Sequence, residues 1–188
     1  MKEIIISEIQ QHITAFNSMH DLVDRIEIAA SNLIDRLNKG GKLLIFGNGG
    51  SAADAQHIAA ELVGRYKINR KGFPAVALTT DTSAITAIAN DFEYNYIFKR
   101  QLESLMAEDD AVIGISTSGK SKNVIEALRF AHSHGVYSIA LTGENPAEMS
   151  QICNVALNVP STDTARIQEM HIFIGHTLCH LIDQNFSE

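Results

Sequence analysis

The sequence predicts an α/β protein: a doubly wound, open parallel sheet of five strands, flavodoxin-like in type, with extra helices at its N-terminus. Three observations predict it. Five short, nearly all-apolar runs fall at about 42–46, 75–79, 111–116, 138–142 and 155–159, which is how strands covered on both faces read. Helical patterns lie between most of them, and βαβ alternation of this length gives a parallel sheet. The first and third runs pass directly into glycine- and serine-rich segments. Those segments sit at the carboxyl ends of strands, where open α/β sheets bind their ligands.

Residues 3–38 are helical by period. Ile5, Ile9, Ile13 and Phe16 form one stripe, and Leu22, Ile26, Ala29, Leu33 and Leu37 form another, at the three- and four-residue steps of an amphipathic helix. Asn17 and Ser18 mark a break between two helices, and Gly40-Gly41 ends the second, as glycine commonly does. A lone doubly wound sheet does not need these helices, and stripes on more than one face suit packing against another subunit. The chain is read as one domain, 1–188, with 1–38 a helical oligomerisation segment and 42–185 the α/β core. A helix is expected from about Asn123 to His134, and a long one from Thr164 to Asn185. The last carries an apolar stripe of Ile167, Met170, Ile174, Leu178 and Leu181, interleaved with Gln168, His171, His176 and His180. His171 and His180 read as surface or satisfied core positions.

Chemistry concentrates in Phe46-Gly47-Asn48-Gly49-Gly50-Ser51 and the helix that follows it to Glu61. The first N–H groups of a helix have no internal partner, so a glycine turn opening a helix offers them, with a hydroxyl, to an anion. His57 and Glu61 lie four residues apart and share one helical face, an acid/base or metal-ligand pair. The segment Ser116-Thr117-Ser118-Gly119-Lys120-Ser121 repeats half of this design after the third strand. One such loop serves equally well as an ordinary N-cap and turn. Two, each after a parallel-type strand, point to a phosphate-binding cleft and to an enzyme acting on a phosphorylated small molecule.

Composition narrows the field. At 188 residues and 45% hydrophobic, the chain suits one well-packed domain. Twenty-two acidic against fifteen basic side chains give a net charge of −7, which argues against a surface built for nucleic acid. No apolar run is long enough to span a membrane, and the charged, amphipathic start lacks the apolar core of a signal peptide. Cys153 and Cys179 are isolated, without metal-type spacing. A reduced, cytoplasmic protein is the expectation.

Taken together, Gly47-Asn48-Gly49-Gly50-Ser51, the run from His57 through Glu61 to Gly64-Arg65-Tyr66, Ala89-Asn90-Asp91, Gly114-Ile115-Ser116-Thr117-Ser118-Gly119, and Ala165-Arg166-Ile167-Gln168-Glu169-Met170-His171 resemble the sugar isomerase (SIS) domain family, and within it the phosphoheptose isomerases. The resemblance runs over nearly the whole chain. It implies an aldose–ketose isomerase that converts sedoheptulose 7-phosphate to D-glycero-D-manno-heptose 7-phosphate, the first step toward nucleotide-activated heptoses of lipopolysaccharide or capsule. It also implies a homotetramer with active sites at subunit interfaces. By the same resemblance Glu61 and His176 are the acid/base pair, and His57, Glu61, Gln168 and His176 hold Zn²⁺, one per subunit. Asn48, Gly49, Gly50, Ser51, Arg65, Asn90, Asp91, Ser116, Thr117, Ser118, Ser121 and Gln168 contact the sugar phosphate.

The side chains suit that chemistry in their own right. Shifting a carbonyl between C2 and C1 needs a base beside the carbonyl and an acid for the enediol oxygens, and Glu and His can be tuned to both tasks. One departure stands out: Ala165 occupies a position where some isomerases carry an acidic residue. Two rival readings use the same loops. A non-catalytic SIS adaptor that binds the replication initiator lacks the Glu and His that this chain has at 61 and 176. A SIS isomerase or sensor for another sugar phosphate differs only in specificity.

Overall fold

The aliphatic runs form five strands: β1 (Leu43–Gly47), β2 (Ala75–Ala77), β3 (Ala111–Ser116), β4 (Tyr137–Thr142) and β5 (Val155–Asn158). The structure is a computed structural model that describes residues 1–145 and 148–186. All strand pairs are parallel, in the order β2-β1-β3-β4-β5. Every residue of β1, β3 and β4 is buried, which is why these strands read as continuous apolar runs rather than alternating ones. Boundaries shift by one or two residues from those expected, as element ends do.

Among the described residues, seven α-helices surround the sheet: α1 (Lys2–Asn17), α2 (Val23–Asn38), α3 (Gly50–Val63), α4 (Thr82–Asp91), α5 (Ile97–Leu105), α6 (Lys122–Ser133) and α7 (Thr164–Asn185). The two-residue period of a strand divides the core. Leu43 and Ile45 join Ile113, Ile139 and Leu157 beneath α2, α3 and α7. Leu44 and Phe46 join Val112 and Ala140 beneath α5 and α6. Each such Leu, Ile or Phe contributes about 1.5–3 kcal/mol on burial. Short side chains set the helix starts elsewhere. The Asp81 carboxylate accepts the Ala84 N–H at the start of α4, and that of Asp163 accepts the N–H groups of Ala165 and Arg166 at the start of α7, caps of about 1 kcal/mol each.

The expected break after Asn17 is a 3-10 turn, Ser18–Leu22. The stripe Leu22, Ile26, Ala29, Leu33 and Leu37 is buried throughout. The first stripe behaves differently. On α1 the sole buried residue is Ala15, and Ile4 (67% exposed), Ile5, Ile6, Ile9 (55%), Ile13 and Phe16 lie open on the single chain. Near the end of α7 the buried apolar residue is Ile182, whereas Leu181 is exposed. A 3.6-residue period lets an apolar face advance by three or by four; here steps of four, Ile174, Leu178 and Ile182, follow the packed face.

Candidate active site

β1 and β3 are neighbours, with Gly47 opposite Ile115, so the turns that leave them lie side by side where the strand order reverses. This is the position at which doubly wound sheets hold ligands. The two turns are tied to each other. Asn123 Nδ2 donates to Asn48 Oδ1 at 2.8 Å, and Asn48 Nδ2 donates back to Asn123 Oδ1 at 2.9 Å. The Tyr94 hydroxyl donates to Asn48 Oδ1 at 3.0 Å, attaching the segment after Asn90 and Asp91 to the same turn. Ser116 and Ser121 share a hydrogen bond of 2.8 Å, and the Lys120 N–H donates to Ser118 Oγ. The N-cap residues of α3 and α6, Gly49 and Ser121, make no side-chain cap bond, as is also so at α1, α2 and α5; a helix start in such a turn can receive an anion.

The long helix supplies the remaining groups. α3 and α7 cross closely because Gly175 has no side chain: a Cβ there would fall 2.6 Å from Ile58 Cδ1. Gly175 precedes His176 and Ile58 follows His57, so this crossing brings the two imidazoles together, Nε2 to Nε2 at 2.9 Å. Glu61 Oε1 stands 3.4 Å from His57 Nε2, and the three donor atoms all lie within 4.8 Å of one another. Two nitrogens and a carboxylate oxygen at these separations suit a zinc ion, whose tetrahedral ligands sit about 2.0–2.2 Å from the metal. Gln168 lies two turns earlier on α7, with its carboxamide against Gly50, where a Cβ would collide with it. The glycine turn therefore touches the helix that carries His176.

Electrostatics separates the neighbours of this cluster. Burial pushes the Asp54 carboxyl up to about 6, against the pull of His57. Burial also lifts the Tyr66 hydroxyl, helped by Cys179, Glu61 and Asp183, and raises Cys179 to about 12, so that thiol stays protonated. His171 is fully buried. Its Nε2 donates to the Thr142 carbonyl at 3.1 Å, and burial lowers its pKa to about 4. It is a neutral core histidine that holds the end of β4, in keeping with its expected structural role.

The expected residues thus converge unevenly. Asn48, Gly49, Gly50, Ser51, Ser116, Thr117, Ser118 and Ser121 form the paired turns; His57, Glu61 and His176 form the cluster, and Gln168 bridges toward the turn. Asn90 and Asp91 are exposed at the end of α4, where Asn90 Nδ2 donates to Asp91 Oδ1. Arg65 is exposed in the loop after α3. Sequence reading missed Asn123, Tyr94 and Tyr66. The Tyr66 ring stacks on His176 with centroids 5.5 Å apart and planes 19° apart; its place beside Arg65 was the one available signal.

Comparison with known proteins agrees with this geometry. The SIS domain family profile matches residues 7–143. Phosphoheptose isomerase of Aliarcobacter butzleri is 50% identical over 188 residues, covering the whole of both chains. Phosphoheptose isomerase 1 of Campylobacter jejuni is 51% identical over 99% of this chain and all of that one. Among solved structures, a phosphoheptose isomerase from Neisseria gonorrhoeae superposes with a TM-score of 0.92 at 43% identity, covering 97% of this chain and 98% of that one. The enzyme from Francisella tularensis gives 0.93 at 37% identity, covering 97% of each. A capsule-associated phosphosugar isomerase from Bacteroides fragilis, at 20% identity and a TM-score of 0.71, shares the fold. With a phosphate-type cradle on β1 and β3 and a His–Glu–His cluster between α3 and α7, the chain belongs to the SIS domain family, in its phosphoheptose isomerase branch.

Proposed function

We propose that the protein interconverts sedoheptulose 7-phosphate and D-glycero-D-manno-heptose 7-phosphate. The observation that carries this reading is the convergence of His57, Glu61 and His176 between α3 and α7, with the glycine- and serine-rich turns that open α3 and α6 at adjacent strand ends. The phosphate docks on the backbone and hydroxyls of Ser116, Thr117, Ser118 and Ser121, with Asn48, Gly49, Gly50 and Ser51 as the facing wall. Arg65, Asn90, Asp91 and Gln168 contact the sugar chain. Glu61 takes a proton from C1 and returns it to C2, while His176 gives a proton to O2 and accepts one from O1. The carbonyl thereby moves from C2 to C1 with no net change in composition. His57, Glu61, Gln168 and His176 hold one zinc per subunit, which when bound supplies Lewis acidity toward the substrate carbonyl. Glu61 Oε1 faces His57, and the second carboxylate oxygen leaves a basic site for the carbon-bound proton.

The helices of residues 1–38 join the chain, read as one domain, into a homotetramer. The isoleucine face of α1 supports this, because contiguous apolar patches on a soluble chain mark contact surfaces. A cleft of about 470 Å³ lined by Phe16, Met19, Val23, Ile26, Phe173 and Leu181 continues that face. Arg65, Asn90 and Asp91, exposed on one chain, suit a site completed by a neighbour. No helix among the described residues is long and apolar enough to cross a membrane, and we place the enzyme in the cytoplasm, supplying heptose to lipopolysaccharide or capsule. The test is NMR observation of aldose formation from sedoheptulose 7-phosphate, with and without added zinc, beside Glu61→Gln. Turnover that disappears in the variant is expected. A folded, oligomeric wild-type protein that is inert in every metal condition overturns the reading.

A further inference from the structure

The loop between α3 and β2 contains no helix or strand from Gly64 to Pro74, yet it carries the ring that covers His176. Its fixed point is a buried ion pair. Asp183, in the last turn of α7, is fully buried, and its Oδ1 accepts the Arg70 Nε–H at 2.7 Å. Its Oδ2 accepts two backbone N–H groups of the loop, Lys67 at 2.8 Å and Ile68 at 3.2 Å. The rest of the Arg70 guanidinium turns to the end of α3. Nη1 donates to the Leu62 carbonyl at 2.9 Å and Nη2 to that of Glu61 at 3.1 Å, carbonyls that a helix terminus leaves without internal partners. The guanidinium also lies over the Phe73 ring. Burial pushes the Asp183 carboxyl up, but the Lys67 and Ile68 N–H groups and Arg70 outweigh it and hold the group ionised below its ordinary range.

This pair therefore joins the backbone of Glu61, the loop, and the helix that carries His176. His176, His180 and Asp183 follow one another at steps of four and three on α7, so they share one face. Along that face the loop lays Tyr66 over His176, and Lys67 Nζ donates to His180 Nδ1 at 3.3 Å. The His176 imidazole thus meets the Tyr66 ring nearly parallel to its own plane and the His57 ring at 69° to it. A buried ion pair adds little net stability compared with apolar packing, and its best-attested use is to select one arrangement.

We propose that Asp183 and Arg70 are positioning residues that latch the loop between α3 and β2, so that Tyr66 fixes the orientation of His176 relative to Glu61. The latch acts through Tyr66 and touches no substrate. The kinetic part of its test rests on the isomerase reading; the spectroscopic part does not.

The experiment follows the His176 ring protons by NMR in full-length, histidine-labelled oligomer. A stacked aromatic ring shifts these protons upfield, and Tyr66→Leu gives the uncapped position. Asp183→Asn and Arg70→Lys are expected to move the His176 signal to that same position, and Tyr66→Phe, which keeps the ring, to leave it in place. In turnover, Asp183→Asn, Arg70→Lys and Tyr66→Leu each lose about 10- to 100-fold in kcat, the scale of an ångström-level misplacement, with KM changed little; Tyr66→Phe retains the rate. Tyr66→Leu leaves the ion pair intact, so it reports on the cap even if Asp183→Asn fails to fold. The proposal is overturned if His176 keeps its wild-type shift in folded Asp183→Asn or Arg70→Lys, or if Tyr66→Leu keeps its kcat. Should no form, wild type included, turn over the heptulose phosphate, the function fails and the NMR shift still decides the latch.

Discussion

Replacing Gly175 with alanine should cost more activity than stability. The new Cβ falls 2.6 Å from Ile58 Cδ1 and 2.7 Å from its Cγ1, whereas apolar carbons settle about 3.5–4.0 Å apart. Either Ile58 rotates or α3 and α7 separate by about 1 Å. Ile58 is buried and β-branched, and in a helix such a side chain has one strongly preferred χ1, so separation carries most of the change. Overpacking of this kind costs about 1–3 kcal/mol, offset by about 1 kcal/mol from exchanging glycine for alanine in a helix. The net loss is about 0–2 kcal/mol, or a melting temperature lower by a few degrees at about 2–4 °C per kcal/mol. The same displacement moves His57 and Glu61 away from His176, and about 1 Å at a reacting centre costs on the order of 100-fold in rate. Thermal melting and kcat/KM of Gly175→Ala measure both. Adding Ile58→Ala, which removes both clashing atoms, should recover much of the rate. Wild-type kcat/KM in the single variant, or no recovery in the double, refutes the argument that this crossing sets the geometry of the site.

Three further outcomes are expected. His171 has a folded pKa of about 4 against about 6.5 when unfolded, so the unfolded chain binds the proton first and stability falls as pH drops from 6.5 to 4, by about 3 kcal/mol from this group. Asp54, raised to about 6, works in the opposite sense as it protonates. The comparison of wild type with His171→Gln therefore isolates the effect: a shallower acid loss in the variant supports it, and equal slopes contradict it. Glu93 sits at φ 135°, a conformation that costs a side chain about 1–3 kcal/mol. Glu93→Gly should gain about 1 kcal/mol after the entropy of a freer unfolded chain, seen as a rise in melting temperature; a fall shows that the backbone there is unstrained. Ile13→Asp places a charge on the exposed face of α1 and should yield smaller, inactive species by size exclusion across a dilution series. A fully active monomer at any dilution rules out a shared site.

Much of this architecture is legible because parallel strands announce themselves. Leu43–Phe46 and Ala111–Ile115 are buried on both faces, so no period is needed to find them. The helix starts after Gly49 and Ser121 follow from the same reading, and with them the cradle. His57 and Glu61 are local, one helical turn apart. The partners that complete the site are not local: Arg70 and Asp183 are separated by 113 residues, and no periodicity links them. Nor does a pattern say which stripe faces the sheet. The two N-terminal stripes look alike in sequence, yet the α2 stripe enters the core and the α1 stripe stays open, because α2 packs on α7 and β5 while α1 meets α7 at its rim. Tyr66 could be quoted within a motif, but its stacking on His176 depends on a loop path set by the distant ion pair.

The separation of 119 positions between His57 and His176 imposes an order on how the chain comes alive. During synthesis, which delivers the N-terminal part first, both glycine- and serine-rich turns and four of the five strands are encoded before residue 145. A nascent chain of that length holds the parts of a phosphate cradle but lacks His176, Gln168 and the helix that seals one face of the sheet. With the roles proposed for Glu61 and His176, proton transfer is the last competence the molecule acquires, and it arrives with the helix whose docking completes the core.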